Sequence, residues 1–238
     1  MLNKETYFTD ESFVHSSQIK DYLENPYLYK KRHIDKDENF QFKVSDAVKK
    51  GTAVDEILTE GKTLEDFKLT PALTRDVKIF TEQIPEHPIW QHLKEKAEFQ
   101  KIFEGEINGV KMCGKGDAVA DAIFDLKITT EASAKNAQKW LWHCNDLKYN
   151  IAGAIYQELE GGKKDFYHLP AYIKNGIVYI KIYKMPQEML DAGMKEVIRA
   201  TEGIKAKKFD RDLCDMNSVE IIPWITPESI VAEDDDEF

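Results

Sequence analysis

The dipeptide Asn108-Gly109 narrows the possible folds of this chain more than any other feature. A two-residue hairpin turn needs positive φ at both central positions, and Asn-Gly supplies them at little steric cost. The pair joins FQKIFEGEI to VKMCGKGDAVA, two runs that read as strands. A second tight reversal near Ala120–Ala122 leads into IFDLKIT, so residues 99–128 are expected to form a three-stranded antiparallel meander. Asn175-Gly176 repeats the hairpin signal between DFYHLPAYI and IVYIKIYKM. Between the two groups, residues 135–159 read as one long helix ending at Gly161-Gly162, with Cys144, Leu147, Ile151, Ala154 and Ile155 on one face.

Helices are expected on either side of this core. Ser17 is placed to cap a short one carrying Ile19, Tyr22 and Leu23, which Pro26 disturbs. Another starts near Ser45, buries Val54, Ile57 and Leu58, and stops at Gly61. A third opens with Thr70-Pro71, carries Leu73, Val77, Phe80 and Ile84, and closes at Pro85. The last spans 187–208, with Leu190, Met194, Val197, Thr201 and Ile204 inward. The order gives an α/β (α+β) fold: a mixed central sheet of about five strands, a long crossover helix and an N-terminal helical subregion. Nothing marks a linker, so residues 1–232 are expected to form one domain, with 1–97 mainly helical and 98–208 the core.

Charge and composition exclude several classes. With 33 basic against 43 acidic residues the net charge is −10, which argues against a general nucleic-acid coat protein. Half of that excess lies in EDDDE, residues 233–237, within an acidic tail at 233–238. No apolar run is long enough for a membrane span, and MLNKETYFTDESF has no apolar core for a secretory signal, so a cytoplasmic protein is expected. Cys113, Cys144 and Cys214 are too scattered for a disulfide framework or a metal cluster. The six histidines show no HExxH spacing, and no phosphate-binding GxxxxGK[ST] loop is present.

The chemistry concentrates in GKGDAVADAIFDLKITT, residues 114–130. Asp125 and Lys127 point to one face of a strand while Leu126 points to the other. A reversal near residue 121 brings Asp117, on the preceding strand, beside Asp125. Two adjacent carboxylates repel, and either one takes a proton or a cation joins them. Mg²⁺ or Mn²⁺, which prefers oxygen ligands, resolves that conflict, and a nearby ammonium stabilises charge developing on phosphorus. The alternative is a surface carboxylate–lysine pair of little energetic weight.

Asp117 followed by Asp125-Leu126-Lys127 and a long helix resembles the PD-(D/E)XK nuclease superfamily, nearest to phage-type recombination exonucleases related to exonuclease VIII and to RecB-type nuclease domains. INGVKMCGKGDAVADAIFDLKITTEAS is similar to their three-strand signature, and KKGTAVDEILTEG (49–61) to their G-T-A-x-H helix. HSSQIKDYLENPYLYKK resembles their N-terminal helix, and LKYNIAGAIYQEL keeps two tyrosines, Tyr149 and Tyr156, of a Y-x-x-Q-x-x-x-Y motif. The resemblance implies a restriction-endonuclease-like fold and a Mg²⁺-dependent exonuclease acting on linear double-stranded DNA. Asp117, Asp125 and the Leu126 carbonyl would bind metal, and Lys127 would be catalytic. It further implies a single-strand annealing protein as partner and a ring-shaped homo-oligomer. The family's helix histidine is replaced by Asp55, which reads either as an accessory oxygen ligand or as a solvent-facing carboxylate beside Glu56. The family's glutamine falls at Ala152, which leaves room for a catalytically weakened nucleic-acid-binding or regulatory relative of the same fold. Glu104 and Glu106 are open between an extra ligand and a solvated strand edge, and Tyr149 and Tyr156 between the DNA path and the core.

Overall fold

The computed structural model describes residues 2, 3, 6, 7 and 9–210; Cys214 and the acidic tail lie outside them. Its centre is a seven-stranded mixed sheet. Both Asn-Gly turns form as expected, with φ of 51° and 73° at Asn108-Gly109 and 53° and 78° at Asn175-Gly176. The first joins β2 (Glu98–Ile107) to β3 (Val110–Val119), and β4 (Ile123–Ile128) completes the meander. The second joins β5 (Phe166–Lys174) to β6 (Ile177–Ile180). β5 runs parallel to β4, as a helical crossover requires. Two short strands escaped the sequence reading. β1 (Val14–His15) pairs parallel with Met112–Cys113 of β3, and β7 (Tyr183–Lys184) is split from β6 but also pairs with β5.

The N-terminal helices follow their capping residues. In α3 (Asp46–Glu60) the Ser45 side chain accepts from Val48 N, and Gly61 ends the helix in the left-handed region at φ 72°. In α4 (Pro71–Gln83) Thr70 accepts from Leu73 N, and Pro71 fills the first turn. The short helix near Ser17 is α1 (Ser16–Glu24), and its N-cap is His15 rather than Ser17, through a reciprocal box with Gln18. Asn25 then caps α2 (Pro26–Tyr29). α5 (Pro88–Lys96) was not anticipated.

The single helix expected over 135–159 is instead α6 (Glu131–Ala134), α7 (Ala137–Asp146) and α8 (Tyr149–Leu159). Asn145 and Asp146 favour caps over helix interior, and Lys148 takes a left-handed φ of 49°, which ends one helix and redirects the chain into the next. Leu147, expected on the buried face, is consequently 44% exposed. The last helix is α9 (Gln187–Lys205).

Helices cover both sheet faces. Ala53, Val54, Val77, Phe80, Trp90 and Leu93 from α3–α5 pack with Ala118, Phe124 and Leu126. On the other face α1, α8 and α9 pack through Ile19, Ile151, Ile155 and Val197 with Ile107 and Met112, next to a cluster of Phe103, Ile123 and Phe166. The alternation of Ile123 and Phe124 between the two sides is the ordinary pleat of a strand buried on both faces.

The α8–α9 contact is close because Gly193 has no side chain. A Cβ there would lie 2.4 Å from the backbone oxygen of Asn150, which cannot move without distorting α8. Gly193→Ala is therefore expected to destabilise the protein by about 1–3 kcal/mol, the usual cost of overpacking, read as a lower urea midpoint with an unchanged slope.

Candidate active site

The site forms where the sheet forks. β2 runs along one whole edge of β3, paired at every position but Asp117. On the other edge β1 pairs at Met112–Cys113, while β4 pairs only at Ala118–Phe124 and Val119–Ile123. From Gly114 to Asp117 that edge has no strand partner. β4 leaves β3 at Asp125 and continues along β5, with Asp125 in register with His168 and Lys127 with Pro170. Asp117 spans the opening: its Oδ2 accepts the Leu126 N–H at 2.7 Å, so a carboxylate satisfies a strand donor that a backbone carbonyl would otherwise take.

The expected trio converges here. Lys127 Nζ lies 2.6 Å from Asp125 Oδ2, and Asp125 is 5% exposed. Asp117, Leu126 and Lys127 line a cleft of about 700 Å3, together with Asp55 from α3 and Tyr149 from α8. Two residues without a role in the sequence reading complete the surroundings. His168 Nε2 stands 3.6 Å from the same Asp125 oxygen. Lys20 of α1 donates to the Leu147 carbonyl at 3.0 Å and lies 5.2 Å from the Tyr149 ring centre, with Lys127 Nζ 5.3 Å from that centre. The parallel β4–β5 register places His168, and this register depends on a crossover that no local pattern records.

Glu104 and Glu106 are not brought to the site. They pair with Cys113 and Lys111, four and six positions along β3 from Asp117, or roughly 13 and 20 Å at strand rise. They border a separate groove with Phe13 and Lys111. Tyr156 stays beneath the sheet, its ring 5.6 Å from Phe103 and against Gly114, where a Cβ would meet it at 2.3 Å. Of the two tyrosines, Tyr149 lines the cleft and Tyr156 is core.

The charges are distributed unequally. Burial, followed by the negative charges of Asp125 and Asp55, pushes Asp117 well above the usual carboxylate range. Asp125 is buried too, but Lys127, His168 and hydrogen bonds from Lys127 and Asp117 outweigh that and hold it below its ordinary value. Burial also works against the Lys127 ammonium, yet Asp125 and Asp117 raise its pKa above the usual lysine value. Without a metal ion, then, Asp117 is the partner that takes a proton more readily and Asp125 the one that ionises more readily. Burial pushes Asp55 up to about 6, opposed by Lys115 and Lys127. Burial brings His168 down to about 4, so it is neutral at pH 7, and Lys20 down to about 8.

This donor set fits a hard divalent cation. Among the described residues no three His, Cys, Asp or Glu side chains group closely enough to hold a metal alone. Asp117 and Asp125 are two neighbouring oxygen donors whose mutual repulsion a cation can relieve. Mg²⁺ commonly keeps several waters and relies on one or two carboxylates plus substrate phosphate, so a pair suffices where zinc would need a closed set.

A carboxylate pair at a sheet fork, one of them buried, with a lysine two residues along the strand, defines a nuclease-type α/β domain. The chain belongs to the family described as a PDDEXK-like domain of unknown function (DUF3799), whose model matches residues 15–214. It is similar over 98% of its length, and 99% of the other chain, to the structure of a provisionally named exonuclease from Eubacterium rectale, at 22% identity and a TM-score of 0.67. A phage-related exonuclease from Haemophilus somnus 129PT aligns over 82% of this chain and 96% of its own, at 13% identity and a TM-score of 0.42. No curated protein gives a significant match. The mixed sheet and PD-(D/E)XK membership expected from the sequence are thus both found.

The charge pattern yields a stability prediction. Asp55 has a folded pKa of about 6, above its unfolded value, so the folded state holds the extra proton. That stabilisation is present at low pH and lost as pH rises through about 6; Asp117 acts in the same sense, and Asp125, with a lowered pKa, acts only at more acid pH. Asp55→Asn removes the ionisation while keeping the shape. The difference in thermal midpoint between Asp55→Asn and wild type, both in chelator, is expected to grow in the variant's favour from pH 5 to pH 7.5. A difference independent of pH would show that Asp55 does not titrate in that window.

Proposed function

We propose that this protein is a divalent-metal-dependent DNA exonuclease that hydrolyses phosphodiester bonds of linear duplex DNA, with Mg²⁺ or Mn²⁺ as cofactor. The observation that carries the reading is the 2.6 Å pair between Lys127 and the buried Asp125, beside an Asp117 carboxylate fixed on the Leu126 N–H, with Asp117, Leu126 and Lys127 lining one cleft. Asp117, Asp125 and the Leu126 carbonyl would hold the metal, with Asp55, which lines the same cleft, as an accessory oxygen donor. A divalent ion held there would supply an activated water and neutralise charge on a phosphate oxygen. Lys127 is anchored by Asp125 in the metal-free protein. If a cation took over that carboxylate, the Lys127 ammonium would be available to stabilise charge developing on phosphorus. Tyr149 limits where the ammonium can swing, being 5.3 Å from it.

The cleft also suits a backbone-reading mode of binding. Lys50, Thr129, Thr130 and Ser133 border it, which places an ammonium and hydroxyl groups where phosphates would pass. A net charge of −10 keeps non-specific adhesion low, so DNA is held locally and with the help of the metal. The phage-recombination setting, an annealing protein partner and a ring-shaped oligomer follow from the resemblance to recombination exonucleases. No helix among the described residues is long and apolar enough to cross a membrane.

Degradation of end-labelled linear duplex DNA in Mg²⁺, with a covalently closed circle as control, tests the activity. Loss of the linear substrate alone, abolished by chelator and by Asp125→Asn at an unchanged thermal midpoint, is the expected result. Lys127→Ala is expected to keep metal binding while turnover falls by roughly 10²-fold or more. Cleavage that survives Asp125→Asn in the folded protein would overturn the assignment, and DNA binding without any cleavage would establish a weakened relative instead.

A further inference from the structure

Gln100 is the most anomalous residue in the sheet. It lies inside β2 with φ at 54°, a left-handed conformation that a non-glycine residue in a strand rarely takes. The ladder records it: Phe99 pairs with Ala118 and Lys101 with Gly116, but the Gln100–Asp117 position between them is unpaired. The side chain is 3% exposed. Its Nε2 donates to Asp55 Oδ1 at 2.9 Å, and its Oε1 is buried without a partner. Both the strained backbone and the orphaned acceptor are costly, and both fall directly across the ladder from the carboxylate that opens the fork.

The strain has a visible effect on the pleat. Phe99 and Phe103 are four residues apart and would share a face on a regular strand. Instead Phe99 packs on Trp90, with its ring centre 5.2 Å away in the α3–α5 core, and Phe103 packs on Tyr156 in the opposite core. The pleat of β2 inverts at Gln100, and the inversion sends its amide to Asp55 on α3. The motif glutamine that the resemblance leads one to expect on α8 is Ala152 here, so an amide enters the site from a different element.

We propose that Gln100 is a positioning residue for the metal centre: its amide orients Asp55 toward the cation, and the left-handed backbone exists to deliver that amide. The inference rests on the nuclease reading, and its test is built to fail separately. Gln100→Gly keeps the positive φ at no steric cost and deletes the amide, so it separates chemistry from strain. Gln100→Asn, which also tolerates this φ but is one methylene too short for Asp55, serves if the glycine variant does not fold.

Ca²⁺ binding by isothermal titration calorimetry is measured first on wild type and Asp125→Asn. If wild type binds no Ca²⁺, or Asp125→Asn binds equally well, the nuclease reading fails before Gln100 is at issue. Given wild-type binding, the Gln100→Gly dissociation constant is expected to rise about 10-fold or more, the range seen when residues orienting metal ligands are removed. In cleavage, the Mg²⁺ concentration for half-maximal rate should rise likewise while kcat at saturating Mg²⁺ falls less than threefold, a split that a general loss of structure would not produce. The double variant Gln100→Gly/Asp55→Asn should bind Ca²⁺ no worse than Asp55→Asn alone, because the amide acts through that carboxylate. Affinity within twofold of wild type for Gln100→Gly, or additive losses in the double variant, would overturn the proposal.

Discussion

The architecture of this site depends on one hydrogen bond, the Leu126 N–H to Asp117 Oδ2 bond that bridges β3 and β4 where their ladder stops. Strands that separate expose backbone donors and acceptors, and a buried donor without a partner is expensive. A side-chain carboxylate solves this without closing the gap, so the fork stays open while its edge is satisfied. The same solution brings a negative charge into a buried place beside Asp125, and the electrostatics of the site follow from that. Asp117 is pushed toward its neutral form, Asp125 is held toward its charged form chiefly by Lys127 2.6 Å away, and the pair is left with a capacity for positive charge that one lysine does not fill.

The neutral His168 fits this arrangement. A second cation beside Asp125 would compete with a metal, and burial prevents it by holding His168 at about 4. At neutral pH the imidazole therefore adds no positive charge beside Asp125. Trp140 and Phe166 meet the His168 ring edge-on, with centres 5.5 and 5.3 Å away, and help to fix its position.

Much of this was legible in the sequence, for identifiable reasons. Asn-Gly turns, Ser45 and Thr70 caps and the Gly61 stop are local signals, and local signals survive into the fold because no distant contact needs to override them. The Asp117, Asp125 and Lys127 trio was readable because strand period and a tight turn together fix which residues face one another. The break at Lys148 was hidden by an apolar stripe that continues across it, although Asn145 and Asp146 were a signal against a continuous helix. Glu104 and Glu106 were on the right strand but too far along it, a distance set by the register of a ladder that only turn counting could give. His168 and Gln100 were invisible, since one is placed by a parallel pairing across a crossover and the other by a backbone angle.

The pleat inversion explains why the site can draw on both helical layers. A regular sheet is a wall, with its two covering layers on opposite sides and their side chains kept apart by the sheet itself. At Gln100 and Asp117 two neighbouring strands depart from their alternation at the same register position, so the ladder keeps its count on either side. On one side of that point Phe99 and Ala118 belong to the α3–α5 core; on the other, Phe103 and Met112 belong to the core under α1, α8 and α9. β3 and β4 part at the same place, and the sheet acquires a window. Through it Asp55 from one layer and Tyr149 from the other line the same cleft as Asp117 and Lys127. The local irregularity and the convergence of donors are one geometric event: chain that alternated normally through residues 99–103 and 114–118 would leave Asp55 behind a wall of backbone, and the site would lose its contribution from α3.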